Sequence, residues 1–90
     1  MINKQKILFK FIQNNDNVDW LSISCEYTLS ENFIREFQDK VDWIDISYHQ
    51  ELSEDFIREF KNKVNWYYIS SNQKLSENFI REFQDKVNWL

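Results

Sequence analysis

Four tryptophans, Trp20, Trp43, Trp66 and Trp89, stand 23 residues apart, and the segments between them are near copies of one another. The three units read WLSISCEYTLSENFIREFQDKVD, WIDISYHQELSEDFIREFKNKVN and WYYISSNQKLSENFIREFQDKVN. The thirteen residues LSENFIREFQDKV recur without change at 29–41 and 75–87. A period in the range of about 20–50 residues marks a stacked-repeat architecture, because one unit cannot bury its apolar face without a neighbour. We divide the 90 residues into a capping half-unit at 1–19, repeats at 20–42, 43–65 and 66–88, and the start of a further unit at 89–90.

Two helix-start signals recur in each unit. Ser30, Ser53 and Ser76 are N-cap residue types with an acidic residue behind each, and Leu29/Ile34, Leu52/Ile57 and Leu75/Ile80 have the spacing of a hydrophobic staple. Asp19, Asp42 and Asn65 are a second set of caps, flanked by Val18/Ile23, Val41/Ile46 and Val64/Ile69. Two caps per unit predict two helices: in the middle unit, a short helix A at 43–50 and a helix B at 54–63. The pattern agrees, since Phe56, Ile57, Phe60 and Val64 make one apolar stripe, and Trp43, Ile46, Ser47 and Gln50 share a face. Ser24, Ser47 and Ser70 are small enough to let helices approach closely. Asn3, with Ile2 and Ile7, can start a capping helix ahead of the repeats. The expected fold is therefore all-α, a short helical-repeat solenoid. The competing reading is an α/β leucine-rich-repeat-like fold, because Val64-Asn65-Trp66-Tyr67-Tyr68-Ile69 has high β-propensity. The positional match of the doubled caps favours helices.

Composition narrows the function. The chain has no glycine and no proline, and no alanine either, while Asn and Ile each occur ten times. This looks like an A/T-rich coding sequence. Without glycine there can be no phosphate-cradling loop, dinucleotide fingerprint or nucleophile elbow, since each needs a residue lacking Cβ. Asn becomes the best residue for any positive φ. Net charge is −4, which argues against nucleic acid as the main partner. The single cysteine, Cys25, allows no internal disulfide and fits a reducing, cytoplasmic setting. We find no membrane span and no signal peptide.

The pattern W-x-x-I-S, then L-S-E-x-F-I-R-E-F, then K-V-x-W over residues 18–90 resembles a tandem repeat found in uncharacterised proteins of giant DNA viruses, low-GC bacteria and their phages. The resemblance implies a viral or mobile-element setting, hence a host-cell cytoplasm, and implies no catalytic residues.

Comparing the units locates the candidate site. Helix B barely changes, whereas helix A varies in four columns: 21/44/67, 22/45/68, 25/48/71 and 26/49/72. At about 100° per residue these columns lie opposite the Trp/Ile/Gln stripe. We take Leu21, Ile44, Asp45, Tyr48, His49, Tyr67 and Tyr68 as the partner-binding set, with drift at unconstrained solvent positions as the competing explanation. Phe79, Phe83, Val87 and Trp89 are expected to remain partly exposed as a self-association edge for a homodimer. Arg35, Arg58 and Arg81 form a column that is either a solvated ladder, with Glu31–Arg35 and Glu36–Lys40 as i,i+4 pairs, or a reader of an acidic partner. Lys4, Lys6 and Lys10 with Phe9 and Phe11 suit a capping helix with snorkelling lysines, or contact with nucleic acid. Cys25 and His49 fall on successive units, too far apart for a nucleophile–base pair, and one Cys with one His makes no zinc site. No catalytic residue, metal or cofactor is expected. The leading function is non-enzymatic protein binding, as in a small phage or mobile-element inhibitor of a host defence protein such as a CRISPR effector. The alternatives are a homo-oligomeric scaffold, and a nucleic-acid binder or acidic nucleic-acid mimic.

Overall fold

The computed structural model describes residues 4–15 and 17–87 and is all-α, with seven helices and no strand among the described residues. In chain order these are α1 (Lys4–Gln13), α2 (Trp20–Glu26), α3 (Glu31–Glu36), α4 (Trp43–His49), α5 (Glu54–Glu59), α6 (Trp66–Asn72) and α7 (Glu77–Glu82). The expected Asn3 cap and Ile2–Ile7 staple, and the residues Asn88, Trp89 and Leu90, lie outside the described residues.

Every repeat helix starts at the cap that the sequence supplies. Ser30, Ser53 and Ser76 accept from the backbone N–H of Phe33, Phe56 and Phe79. Asp19, Asp42 and Asn65 accept from Ser22, from Ile44 and Asp45, and from Tyr68. The leucine-rich-repeat alternative fails at this point. The Asn65 cap satisfies an N–H that would be orphaned at a helix start, and the β-prone Trp66-Tyr67-Tyr68-Ile69 becomes α6.

Helix B is shorter than expected. α5 stops at Glu59, and Phe60 closes it by donating to Phe56 O. A turn over 60–63 follows, in which Lys63 and Val64 both donate to Phe60 O. The indole N–H of Trp66 donates to Lys61 O and that of Trp43 to Gln38 O, so each turn is tied to the next helix A. No described residue has a positive φ, so the expected use of Asn in that region does not occur. Helix A instead ends by straightening, with Tyr27, Gln50 and Gln73 in extended conformation at its C-cap.

Both members of the staples Leu29/Ile34, Val41/Ile46, Leu52/Ile57 and Val64/Ile69 are buried in one continuous core with Phe33, Phe56, Phe60, Phe79 and Phe83. Ile34, Ile46, Ile57 and Ile69 are fully buried, each contributing about 1.5–3 kcal/mol of transfer free energy. The tryptophans lie against the Phe pairs of their own unit: Trp43 is 5.1 Å from Phe60, Trp66 is 5.1 Å from Phe83 and Trp20 is 5.2 Å from Phe37. Phe9 on α1 reaches Phe37 at 5.3 Å, which attaches the N-terminal helix to the first unit.

Several bond sets that recur at both junctions join the units. The buried Ser24 and Ser47 hydroxyls accept from the backbone N–H of Asp42 and Asn65, the caps of the following helix A. Gln50 Oε1 accepts from Leu29 N, while Gln50 Nε2 donates to Ser24 O and Tyr27 O; Gln73 does the same to Leu52 N, Ser47 O and Gln50 O. Glu31 and Glu54 each accept both the N–H and the O–H of the cap serine one unit ahead, Ser53 and Ser76. As a result α2 packs on α4 and α4 on α6, in a body measuring 43 × 27 × 19 Å.

Candidate functional site

The charged face of helix B is used internally. Arg35 donates through Nε and Nη2 to Glu59, and Arg58 through Nε to Glu82, while their guanidinium carbons sit 5.5 and 5.3 Å from the ring centres of Phe56 and Phe79. The Glu59 carboxyl is held below the usual carboxylate range by Arg35, chiefly through the hydrogen bond. Two expectations change here. The Arg35 and Arg58 guanidiniums tie units together through Glu59 and Glu82. The ladder also runs mainly between units: Glu31 turns away from Arg35 to bind Ser53, and the Glu36–Lys40 spacing loses its helical basis because α3 ends at Glu36. Of the three arginines, Arg81 keeps an i,i+4 pair, to Glu77 at 4.0 Å.

The self-association edge is also redistributed. Phe79 and Phe83 are buried within the chain, because Trp66 lies over both and Arg58 covers Phe79. Val87 is half-buried, and Trp89 lies outside the described residues. The positions that lose cover in the third unit are Leu75, Ile80 and Val87, half-buried where Leu52, Ile57 and Val64 are buried.

The helix A columns behave as expected for an outward face. Leu21, Ile44, Tyr48 and Tyr67 are 57, 54, 47 and 50% exposed, and His49 is exposed. Asp45 and Tyr68 are half-buried. The structure brings four of these residues together: Tyr68 meets Tyr48 and Tyr67 edge-on, each at 5.1 Å, and His49 meets Tyr48 at 4.5 Å. His49 Nε2 is 3.9 Å from Asp45 Oδ1. Leu21 and Ile44, being aliphatic, are not part of that ring cluster.

Two clefts adjoin this face. One, of about 430 Å³, lies over the ends of α2, α4 and α6 and includes Cys25, Glu26, Tyr48, His49 and Glu51. The other, of about 760 Å³, lies between α1 and α2 and is lined by Ile7, Leu8, Phe11 and Ile23. Both share Glu26, Tyr27 and Thr28. Sequence reasoning placed neither Tyr27 nor Ile7 at a site, and put Phe11 only with the N-terminal lysines. The signal was available: the column 27/50/73 reads Tyr, Gln, Gln, and a unit with no preceding helix A has nothing for a glutamine to clamp.

The Cys25 thiol is pushed up by burial first, then by the charges of Asp45, Glu26 and Asp19. A thiol raised in this way holds less thiolate and is a poor nucleophile or metal ligand. It donates to Ser22 O at 3.8 Å. Among the described residues no three His, Cys, Asp or Glu side chains are arranged to hold a metal ion, and no helix is long and apolar enough to cross a membrane. No family model, no curated protein and no solved structure matches this chain.

Proposed function

We propose that this protein is a non-catalytic binding module that docks a protein partner on its helix A side. The observation that supports this reading is the division of labour within each unit. Arg35, Arg58 and Glu31 on the helix B side are engaged between units, whereas Leu21, Ile44, Tyr48 and Tyr67 remain about half exposed on one face. Exposed aromatics gathered on a rigid frame are the groups that anchor protein interfaces. The stacked helices supply that frame in the manner of a solenoid. A small acidic module from an A/T-rich coding sequence suits an inhibitor that a phage or other mobile element directs at a host defence protein such as a CRISPR effector.

The test is affinity capture from a host lysate with wild type and with the Tyr48→Ala/Tyr67→Ala/Tyr68→Ala variant, whose fold is checked by circular dichroism. Loss of the captured protein supports the reading. Equal recovery by the variant refutes it. A second reading, a homo-oligomeric scaffold, draws on the half-buried Leu75, Ile80 and Val87. Light scattering separates the two, since a scaffold self-associates at micromolar concentration and a one-partner module stays monomeric.

A further inference from the structure

We infer that the two adjoining clefts form one bipartite groove, and that its occupant is a partner segment carrying an apolar side chain next to arginine or lysine. This deepens the proposed function and rests on it. The argument starts with shape. The larger cleft is apolar and open: Ile7 and Phe11, one turn apart on α1, are 56 and 53% exposed, and Tyr27 opposite them is 48% exposed. Ile23 and Leu8 form its floor and belong to the core. A large apolar residue fits such a cleft without any rearrangement of the frame.

The second argument is charge. Among the described residues, no lysine or arginine lines either cleft. Glu26 and Glu51 line the smaller cleft, and Glu26 borders the larger one as well. The negative field there is also felt by Cys25, whose thiol is raised by Asp45, Glu26 and Asp19 in addition to burial. Tyr48 and His49 line the same cleft as Glu26 and Glu51. Carboxylates that share a cleft with tyrosine, where no lysine or arginine is part of the lining, match a guanidinium or ammonium group, which can pair with the acid and lie on the ring. An anionic segment would be repelled. Because Glu26, Tyr27 and Thr28 border both clefts, the apolar and cationic groups must be close together on the partner.

The test uses three synthetic peptides of about ten residues, built from leucine with arginine, leucine with serine and leucine with glutamate, titrated into the full chain by heteronuclear NMR. The Leu/Arg peptide is expected to bind about tenfold tighter than the Leu/Ser peptide, the size of one charge-assisted contact. Its shift changes should centre on Phe11, Tyr27 and Tyr48. Glu26→Gln/Glu51→Gln should remove the preference for arginine while leaving apolar binding, and Phe11→Ser/Tyr27→Ser should weaken both peptides. All four positions are exposed, so these variants keep the fold. Equal affinity for the Leu/Arg and Leu/Ser peptides overturns the inference, as does binding of the Leu/Arg peptide on the helix B side or no binding at millimolar peptide. If a captured partner is lost by the tyrosine variant but retained by Glu26→Gln/Glu51→Gln, the binding function stands and the cationic occupant falls.

Discussion

Replacing Gln50 with leucine tests how the units are held together. The Gln50 side chain is 4% exposed and makes three bonds to the preceding unit, to Leu29 N at 2.9 Å, Ser24 O at 3.0 Å and Tyr27 O at 2.7 Å. Leucine has nearly the same volume and removes all three. The Leu29 N–H, buried with its own side chain, loses its partner, at a cost of about 1–3 kcal/mol. The two carbonyls lose one donor each, about 0.5–1 kcal/mol apiece, since each keeps a second acceptor site. Extra apolar burial returns about 1 kcal/mol. The net loss is about 1–4 kcal/mol, centred near 2.5, out of a total near 5–13 kcal/mol for a chain of this length. With an m-value of about 1–2 kcal/mol/M, the urea midpoint should fall by roughly 1–2 M, and Tm by on the order of 10–20 °C. Gln73→Leu is the internal control. It removes the equivalent bonds at the next junction, but Gln73 is half-buried and water can replace them, so its cost should be about 1 kcal/mol. Urea melts followed by tryptophan fluorescence decide the matter. The reasoning is wrong if Gln50→Leu lies within about 0.5 kcal/mol of wild type, or if Gln73→Leu costs more than Gln50→Leu.

Further outcomes follow from the same contacts. Ser47→Ala deprives Asn65 N of its acceptor and should cost about 1–2 kcal/mol by urea denaturation, while Ser71→Ala, exposed one position beyond Ser70, should be near neutral. The Glu54 carboxyl is held low, first by the backbone N–H of Ser76, and the Glu59 carboxyl by Arg35. Their contribution is present above the ordinary glutamate pKa of about 4.3 and is lost as pH falls through the lower folded value. Wild type should therefore weaken on acidification more than Glu54→Gln/Glu59→Gln, measured as urea midpoint against pH. Cys25, with its pKa raised, should react with iodoacetamide more slowly than a free cysteine at pH 8, and Asp45→Asn should speed it; a rate above that of the free thiol would contradict the assigned environment.

Much of the fold was legible because its signals are local. A serine or aspartate before an apolar staple fixes where a helix begins, whatever surrounds it, and all six repeat caps stand where the residues place them. Burial followed from the same periodicity, as did the outward face carrying Leu21, Ile44, Tyr48 and Tyr67. Helix ends were harder. With no glycine to mark a C-cap, Phe60 looked like the continuation of a stripe, and only the turn tied down by the Trp66 indole showed that α5 stops at Glu59.

The charged residues show where a sequence of this kind stops being self-sufficient. Within one unit, Glu31 and Arg35 have the spacing of a helical ion pair, and nothing in that unit argues otherwise. Once units stack, Ser53 and Glu59 come within reach, and a bidentate bond to a neighbouring unit replaces an exposed i,i+4 contact worth only a few tenths of a kcal/mol. The groove has the same origin. Tyr27 is a single departure from a glutamine column, Ile7 and Phe11 are two apolar residues of a lysine-rich helix, and Glu26 and Glu51 lie in different units. Local sequence determined the helices, their faces and their caps, since those depend on neighbours three or four positions away. Tertiary structure alone decided which groups from separate units meet, because that depends on the distance between stacked helices, which no local spacing specifies.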